Sequence, residues 1–210
     1  MRLRSDDLEP MQPIPTDFAF AKPGSGDEPI ALSQNRNPHL AWSDVPPGTR
    51  SFAILCIDTD VPTSGEDVNK PGRHVPASLP RTDFFHWVMV DVPLECRELG
   101  TGSCSDGVVP HGKQKPFGPP GSKQGINDYT GWFAGDADMK GDYYGYDGPC
   151  PPWNDDLVHH YHFRVFALDV PTLGVSGRFT GQDARAALEG HVLAEAGLIG
   201  TYTLNAALRR

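Results

Sequence analysis

FAILCIDTDVP, residues 52 to 62, is an apolar run that stops at two aspartates and a proline. Read with its neighbours, it predicts a strand from Ser51 to Thr59. Side chains in a strand alternate between faces, so Phe52, Ile54, Cys56 and Asp58 share one face. Ala53, Leu55 and Ile57 share the other. Both faces are apolar, which places the strand centrally in a sheet covered on both sides. The open point is what Asp58 does at the end of it: attack a phosphate, or help line a pocket that only holds one.

The surrounding chain limits the answer. It has 210 residues, with 23 Gly and 21 Pro, and a formal net charge of -9. Such punctuation suits many short strands joined by turns rather than a helix bundle, and the length suits a single domain spanning residues 1–210. An acidic chain without a Lys/Arg run is repelled by nucleic acid and by anionic membranes. The N-terminus, MRLRSDDLEPMQPIP, has no apolar stretch after its arginines, and no window approaches the length of a membrane span. A soluble, cytoplasmic protein is expected. The four cysteines (Cys56, Cys96, Cys104, Cys150) are unevenly spaced and form no CxxC, which favours free thiols over a Cys96–Cys104 bridge.

Further strands are predicted over Phe84–Val92 and His159–Val170, with a short strand in HLAW, an edge strand near Phe18–Phe20 and a last one in LIGTYTLN. Residues 94–156 read as mostly irregular. TGQDARAALEGHVLAEAG has helical character over 180–197, capped by Thr180 and stopped by Gly197, with Gly190 able to split it.

A strand ending in D-x-D-x-[TV] also opens the haloacid-dehalogenase phosphatases, in which the first Asp is the nucleophile and the second the acid and base. That mechanism needs alternating helices and strands, and here Pro/Gly loop and another strand follow Asp60. Asp155 and Asp156 could pose as its later acidic magnesium site, but they follow Pro151-Pro152 in a loop. The other reading is geometric. If strands 51–59 and 84–92 pair antiparallel, Asp58 and His86 meet at one sheet end. His159 and Tyr161 share a face of the third strand and can point into the same site, whereas His160 and His162 point away.

The segments DTDVP (58–62), HW (86–87), GIND (125–128), GYDGPCPP (145–152), HHYHFRVFALD (159–169) and GHVLAEAGLIGTY (190–202) together resemble the phosphatidylethanolamine-binding proteins, also called the Raf kinase inhibitor protein family, in their bacterial and archaeal branch. The resemblance runs in order over most of the chain from Asn35. It implies a mainly β fold, an antiparallel β-sandwich with a few short helices, and a small anion pocket at one end. The pocket residues it implies are Asp58, Asp60, Pro62, His86, Gly148, Pro152, His159 and Tyr161. Thr59 and Val61 depart from the family's usual Pro and Ala, and the loops 63–83 and 132–144 look longer and more acidic than usual.

Two carboxylates beside an anion repel it. The expected resolution is that Asp58 or Asp60 accepts a hydrogen bond from His86 and keeps that ring protonated. His160 and His162 are expected at the surface or packed, not joined with His159 in a zinc site. The acidic stretch at Asp136, Asp138 and Asp142 reads as a solvated insertion rather than a calcium loop, and Cys150 as a structural thiol. The expected function is binding of a small anionic or phosphorylated ligand, a phospholipid head group or nucleotide, with a partner protein such as a kinase modulated. No cofactor and no metal are expected, nor nucleic-acid binding or membrane insertion; a homodimer is allowed. The rivals are a phosphohydrolase using Asp58 and an interaction module acting through the acidic loops.

Overall fold

The computed structural model describes residues 1–209. Among them the chain forms β1 (Arg2–Arg4), β2 (Ala21–Pro23), β3 (Ile30–Leu32), β4 (Leu40–Ser43), β5 (Ser51–Pro62), β6 (Arg81–Pro93), β7 (Glu98–Leu99), β8 (Lys123–Gln124), β9 (His159–Leu168) and β10 (Val192–Tyr202). Helix α1 (Tyr129–Trp132) precedes β9, and α2 (Gly181–Leu188) precedes β10. The main sheet has the order β10-β9-β5-β6-β8, a second sheet has β1-β4-β7, and β2 pairs with β3. All these pairings are antiparallel. The mainly β reading with few helices is what the molecule shows.

β5 lies in the middle of the main sheet and is buried from Ser51 to Asp58. Phe52, Ile54 and Cys56 pack with Leu40 and Trp42 of β4 in the space between the two sheets. Ala53, Leu55 and Ile57 pack on the opposite side, under Ala184 and Leu188 of α2. An uninterrupted apolar strand is the sequence signature of such two-sided cover.

The helix expected over 180–197 stops early. Thr180 and Asp183 form the N-terminal capping box, and the helix ends at Leu188. Gly190 then takes φ 80°, a left-handed turn that an L side chain adopts only at a cost. From Val192 onward the chain pairs with β9, up to Tyr202 opposite His159. Ala196, Leu198, Gly200 and Tyr202 alternate as buried residues, the period of a strand. Sheet pairing overrides the helical preference of the Ala and Glu residues there. The strand expected at Phe18–Phe20 is likewise displaced: Thr16–Phe18 is a 3-10 turn and the strand begins at Ala21.

Candidate ligand pocket

The pocket lies at the end of the main sheet where β5 finishes and β6 and β9 begin. The register sets Asp58 opposite Phe84 on one side and opposite Tyr161 on the other. His86 reaches this site because of a β-bulge. Cys56 pairs with Trp87 and Ile57 with Phe85, so His86 is the extra residue between them. Strict alternation would turn His86 away from the face that Trp87 occupies. The bulge gives Trp87 and His86 the same side and sends Phe85 to the other core.

Asp58 and His159, which line the pocket, begin a chain of four charged side chains that continues behind it through Asp155 and Arg81. Asp58 Oδ2 lies 2.7 Å from His159 Nδ1, and His159 Nε2 lies 3.1 Å from Asp155 Oδ2. The Arg81 guanidinium donates to both Asp155 oxygens, at 2.6 and 3.0 Å. Burial pushes the His159 pKa down, but the two carboxylates overcome it and hold the pKa up at about 9. Burial also raises Asp155, and the hydrogen bonds from His159 and Arg81 bring it below the usual carboxylate range. Two carboxylates, one imidazolium and one guanidinium make the chain neutral as a whole.

His86 is set differently. Its Nδ1–H donates to the Asp147 carbonyl at 2.7 Å, and the Asp147 N–H donates back to the His86 carbonyl at 3.0 Å. The Asp147 carboxylate is itself buried and held by Asn35, Asn127 and Lys113, at 2.7, 2.8 and 2.6 Å. Burial lowers the His86 pKa, and the nearby Asp58 charge and the Asp147 carbonyl do not restore it. A neutral ring with its proton on Nδ1 carries a lone pair on Nε2, and Nε2 has no partner among the described residues. The Tyr161 hydroxyl is also buried and, among the described residues, makes no hydrogen bond of good geometry; Asp58 is its neighbouring acceptor.

These groups face a cavity of about 90 Å³. Asp58, His86, Cys150, His159 and Tyr161 line its inner part, and its outer wall includes Val61, Pro62, Val68, Phe84, Trp132 and Pro152.

The model of the phosphatidylethanolamine-binding protein family matches residues 4–203. The chain belongs to that family. It is 34% identical over 168 residues to the UPF0098 protein of Aquifex aeolicus, covering 79% of this chain and 73% of the relative. It is 30% identical over 204 residues to the UPF0098 protein YbhB of Escherichia coli, covering 97% and 100%. Its fold matches the crystal structure of Escherichia coli YbcL, described as a member of the mammalian family, with a TM-score of 0.68 at 26% identity over 96% of this chain and 97% of that one.

Of the family residues expected in the pocket, Asp58, Pro62, His86, Pro152, His159 and Tyr161 line the cavity. Asp60 does not. Its Oδ2 accepts the backbone N–H of His160, at 2.8 Å, and sits 2.8 Å from that ring's Nδ1; strict alternation would set Asp60 on the face of Asp58, but the β5–β6 register shifts between Asp58 and Val61, and Asp60 turns to the His160 side. Gly148 also supplies no free donor. Its N–H donates to Asn35 Oδ1, its carbonyl accepts from Tyr129, and an added Cβ would lie 2.0 Å from the Phe18 carbonyl oxygen. This glycine is required by close packing behind the pocket. The expected bond from His86 to Asp58 or Asp60 is absent; Asp58 is engaged by His159 and by the Asp60 N–H, at 2.8 Å.

Arg81, Phe84, Tyr129, Trp132 and Asp147 take roles at the site that no motif in the sequence marks. Asp155 is no magnesium ligand here but the partner of His159, four residues on. Cys150 does line the cavity, as a thiol whose pKa burial pushes up to about 12. His162 turns to Thr59, 3.4 Å away, one of the two departures from the family pattern. In the 132–144 loop, Asp136 caps its own turn and Asp142 pairs with Arg178, so neither carboxylate is idle. No helix among the described residues is long and apolar enough to cross a membrane.

Proposed function

We propose that the protein binds a small anionic ligand on the floor of this cavity, between His86 Nε2 and the Tyr161 hydroxyl. The observation that carries the reading is the Tyr161 hydroxyl, buried beside the cavity without a hydrogen bond among the described residues, its neighbouring acceptor Asp58 being engaged by His159 and the Asp60 N–H. A buried polar group left unpaired costs about 1–3 kcal/mol, and a ligand oxygen there removes the cost. His86 supplies the second donor by taking a proton as the anion arrives. The buried charge chain below does not compete for the ligand, because Asp58, His159, Asp155 and Arg81 satisfy one another.

Asp58 acts as a support and not as a nucleophile. Its oxygens are engaged by His159 and the Asp60 N–H, and Asp60, the acid a dehalogenase-type reaction needs next, lies outside the cavity. Titration calorimetry with inorganic phosphate and with acetate tests the binding. Replacing His86→Ala or Tyr161→Phe is expected to lower affinity about tenfold to a hundredfold, the value of a charge-assisted bond. Equal affinity in both variants would refute the site. In parallel, p-nitrophenyl phosphate with and without magnesium should not turn over; turnover abolished by Asp58→Asn would establish the phosphatase instead.

A further inference from the structure

Accepting that an anion sits between His86 and Tyr161, the rest of the cavity narrows what it is attached to. We propose that the ligand is a small organic acid of single negative charge, a carboxylate joined to an aryl or short alkyl body, whose body lies along the wall made by Val68 and Trp132.

Charge limits the ligand first. Among the described residues no Lys or Arg lines the cavity. Arg81, behind the floor, is spent on Asp155 and on the carbonyls of Asp60 and Pro76. Lys113 is spent on Asp147. The groups that face His86 are Asp58 from β5, His159 and Tyr161 from β9, Tyr129 from α1, Phe84 on its own strand, and Asp147 and Cys150 from the loop between α1 and β9. Asp58 and His159 offset each other, and the Asp147 carboxylate is matched by Lys113. Among the described residues, the positive charge that can be added here is one proton on His86. A single negative charge is then neutralised, whereas a phosphate dianion or a nucleotide would bring uncompensated charge into a buried site.

The walls limit it further. Above the floor the lining is apolar, and the mouth is made by two separate segments. Trp132, on the four-residue α1, is 51% exposed, an unusual placement for so large an apolar side chain. Val68 is only 8% exposed although its neighbours in the loop are open to solvent. It is held there by Asn154, whose Nδ2 donates to the carbonyls of Asp67 and Arg73 at 2.9 and 3.0 Å and whose Oδ1 accepts from the Asn69 N–H at 2.9 Å. An extended loop has therefore been fastened so as to present an aliphatic side chain to the cavity. A carboxylate matches the floor in number as well: one oxygen for the Tyr161 hydroxyl and one for the protonated His86.

The test is calorimetry of the full chain with phenylacetate, acetate and inorganic phosphate, repeated in two buffers of different ionisation enthalpy to count protons. Phenylacetate should bind about tenfold or more tighter than acetate, because the ring buries apolar surface. Above neutral pH, binding should take up about one proton per site, supplied to His86 from the buffer. Trp132→Ala, a change at an exposed position, should lower phenylacetate affinity and leave acetate unchanged, while His86→Ala should weaken both. If phosphate or acetate binds as tightly as phenylacetate, or Trp132→Ala changes nothing, the ligand class proposed here is wrong while His86-dependent anion binding stands. If none of the three binds, both readings fall.

Discussion

Two histidines stand in the same sheet, His86 in the first half of β6 and His159 at the start of β9, and both line one cavity. Both are buried, at 3% and 0% exposure. Burial alone would make both rings neutral. His159 lies between two carboxylates and is held protonated; His86 donates to a main-chain carbonyl and is left neutral. The difference teaches that in this pocket the partner, more than the depth, decides the charge. It also divides the work: His159 closes a permanent, self-neutral chain of charges, and His86 is the group free to change when a ligand arrives.

The largest effect is expected where the permanent half is broken. Asp155→Ala leaves the Arg81 guanidinium and the His159 imidazolium short of a partner in a buried setting. Denaturant unfolding should show a loss of about 3–5 kcal/mol. A loss under 1 kcal/mol would mean that water reaches the floor and that the two histidines are not in different environments.

The dependence of stability on pH separates the two rings next. The folded His159 pKa, about 9, lies above its ordinary value of 6.5. Its contribution is therefore complete below about pH 6.5 and is lost as pH rises through about 9, amounting to about 3 kcal/mol at most. His86 has the opposite sign. Its folded pKa is lowered, so its contribution is present above about pH 6.5 and is lost as the pH falls. Thermal unfolding of the wild type should decline on both sides of mildly acidic pH. In His159→Gln the alkaline decline should flatten while the acid one persists.

A smaller effect sharpens the comparison from outside. His160 neighbours His159 in sequence but is half-exposed and pairs with Asp60 at the surface. His160→Gln should cost about 0–1 kcal/mol, as exposed ion pairs do. A cost like that of Asp155→Ala would show that Asp60 supports the pocket after all.

Much of this was legible in the chain. The apolar run on both faces of Phe52–Ile57 located β5 in the sheet, and alternation in HHYHFRV separated His159 and Tyr161 from His160 and His162. Alternation could not reveal the bulge at His86, because a bulge shows only when the partner strand is known, and without it the ring would face the wrong core. The partner of His86 was missed for a related reason: it is the carbonyl of Asp147, and main-chain acceptors carry no residue type to read. Asp60 and Gly148 sit in the family's motif yet serve the surface and the packing behind the site. The end of α2 was marked by Gly190, but the strand beyond it is dictated by β9, a long-range pairing that local helical preference cannot register.

The central claim is the charge of the two rings, and the imidazole nitrogen resonances of the ligand-free protein report it directly. At pH 7.5, two-dimensional proton–nitrogen spectra should show His159 with both nitrogens protonated. His86 should show a protonated Nδ1 and a bare Nε2, and should add the second proton when acetate is bound. Finding His86 doubly protonated in the empty protein, or His159 neutral, would contradict the account.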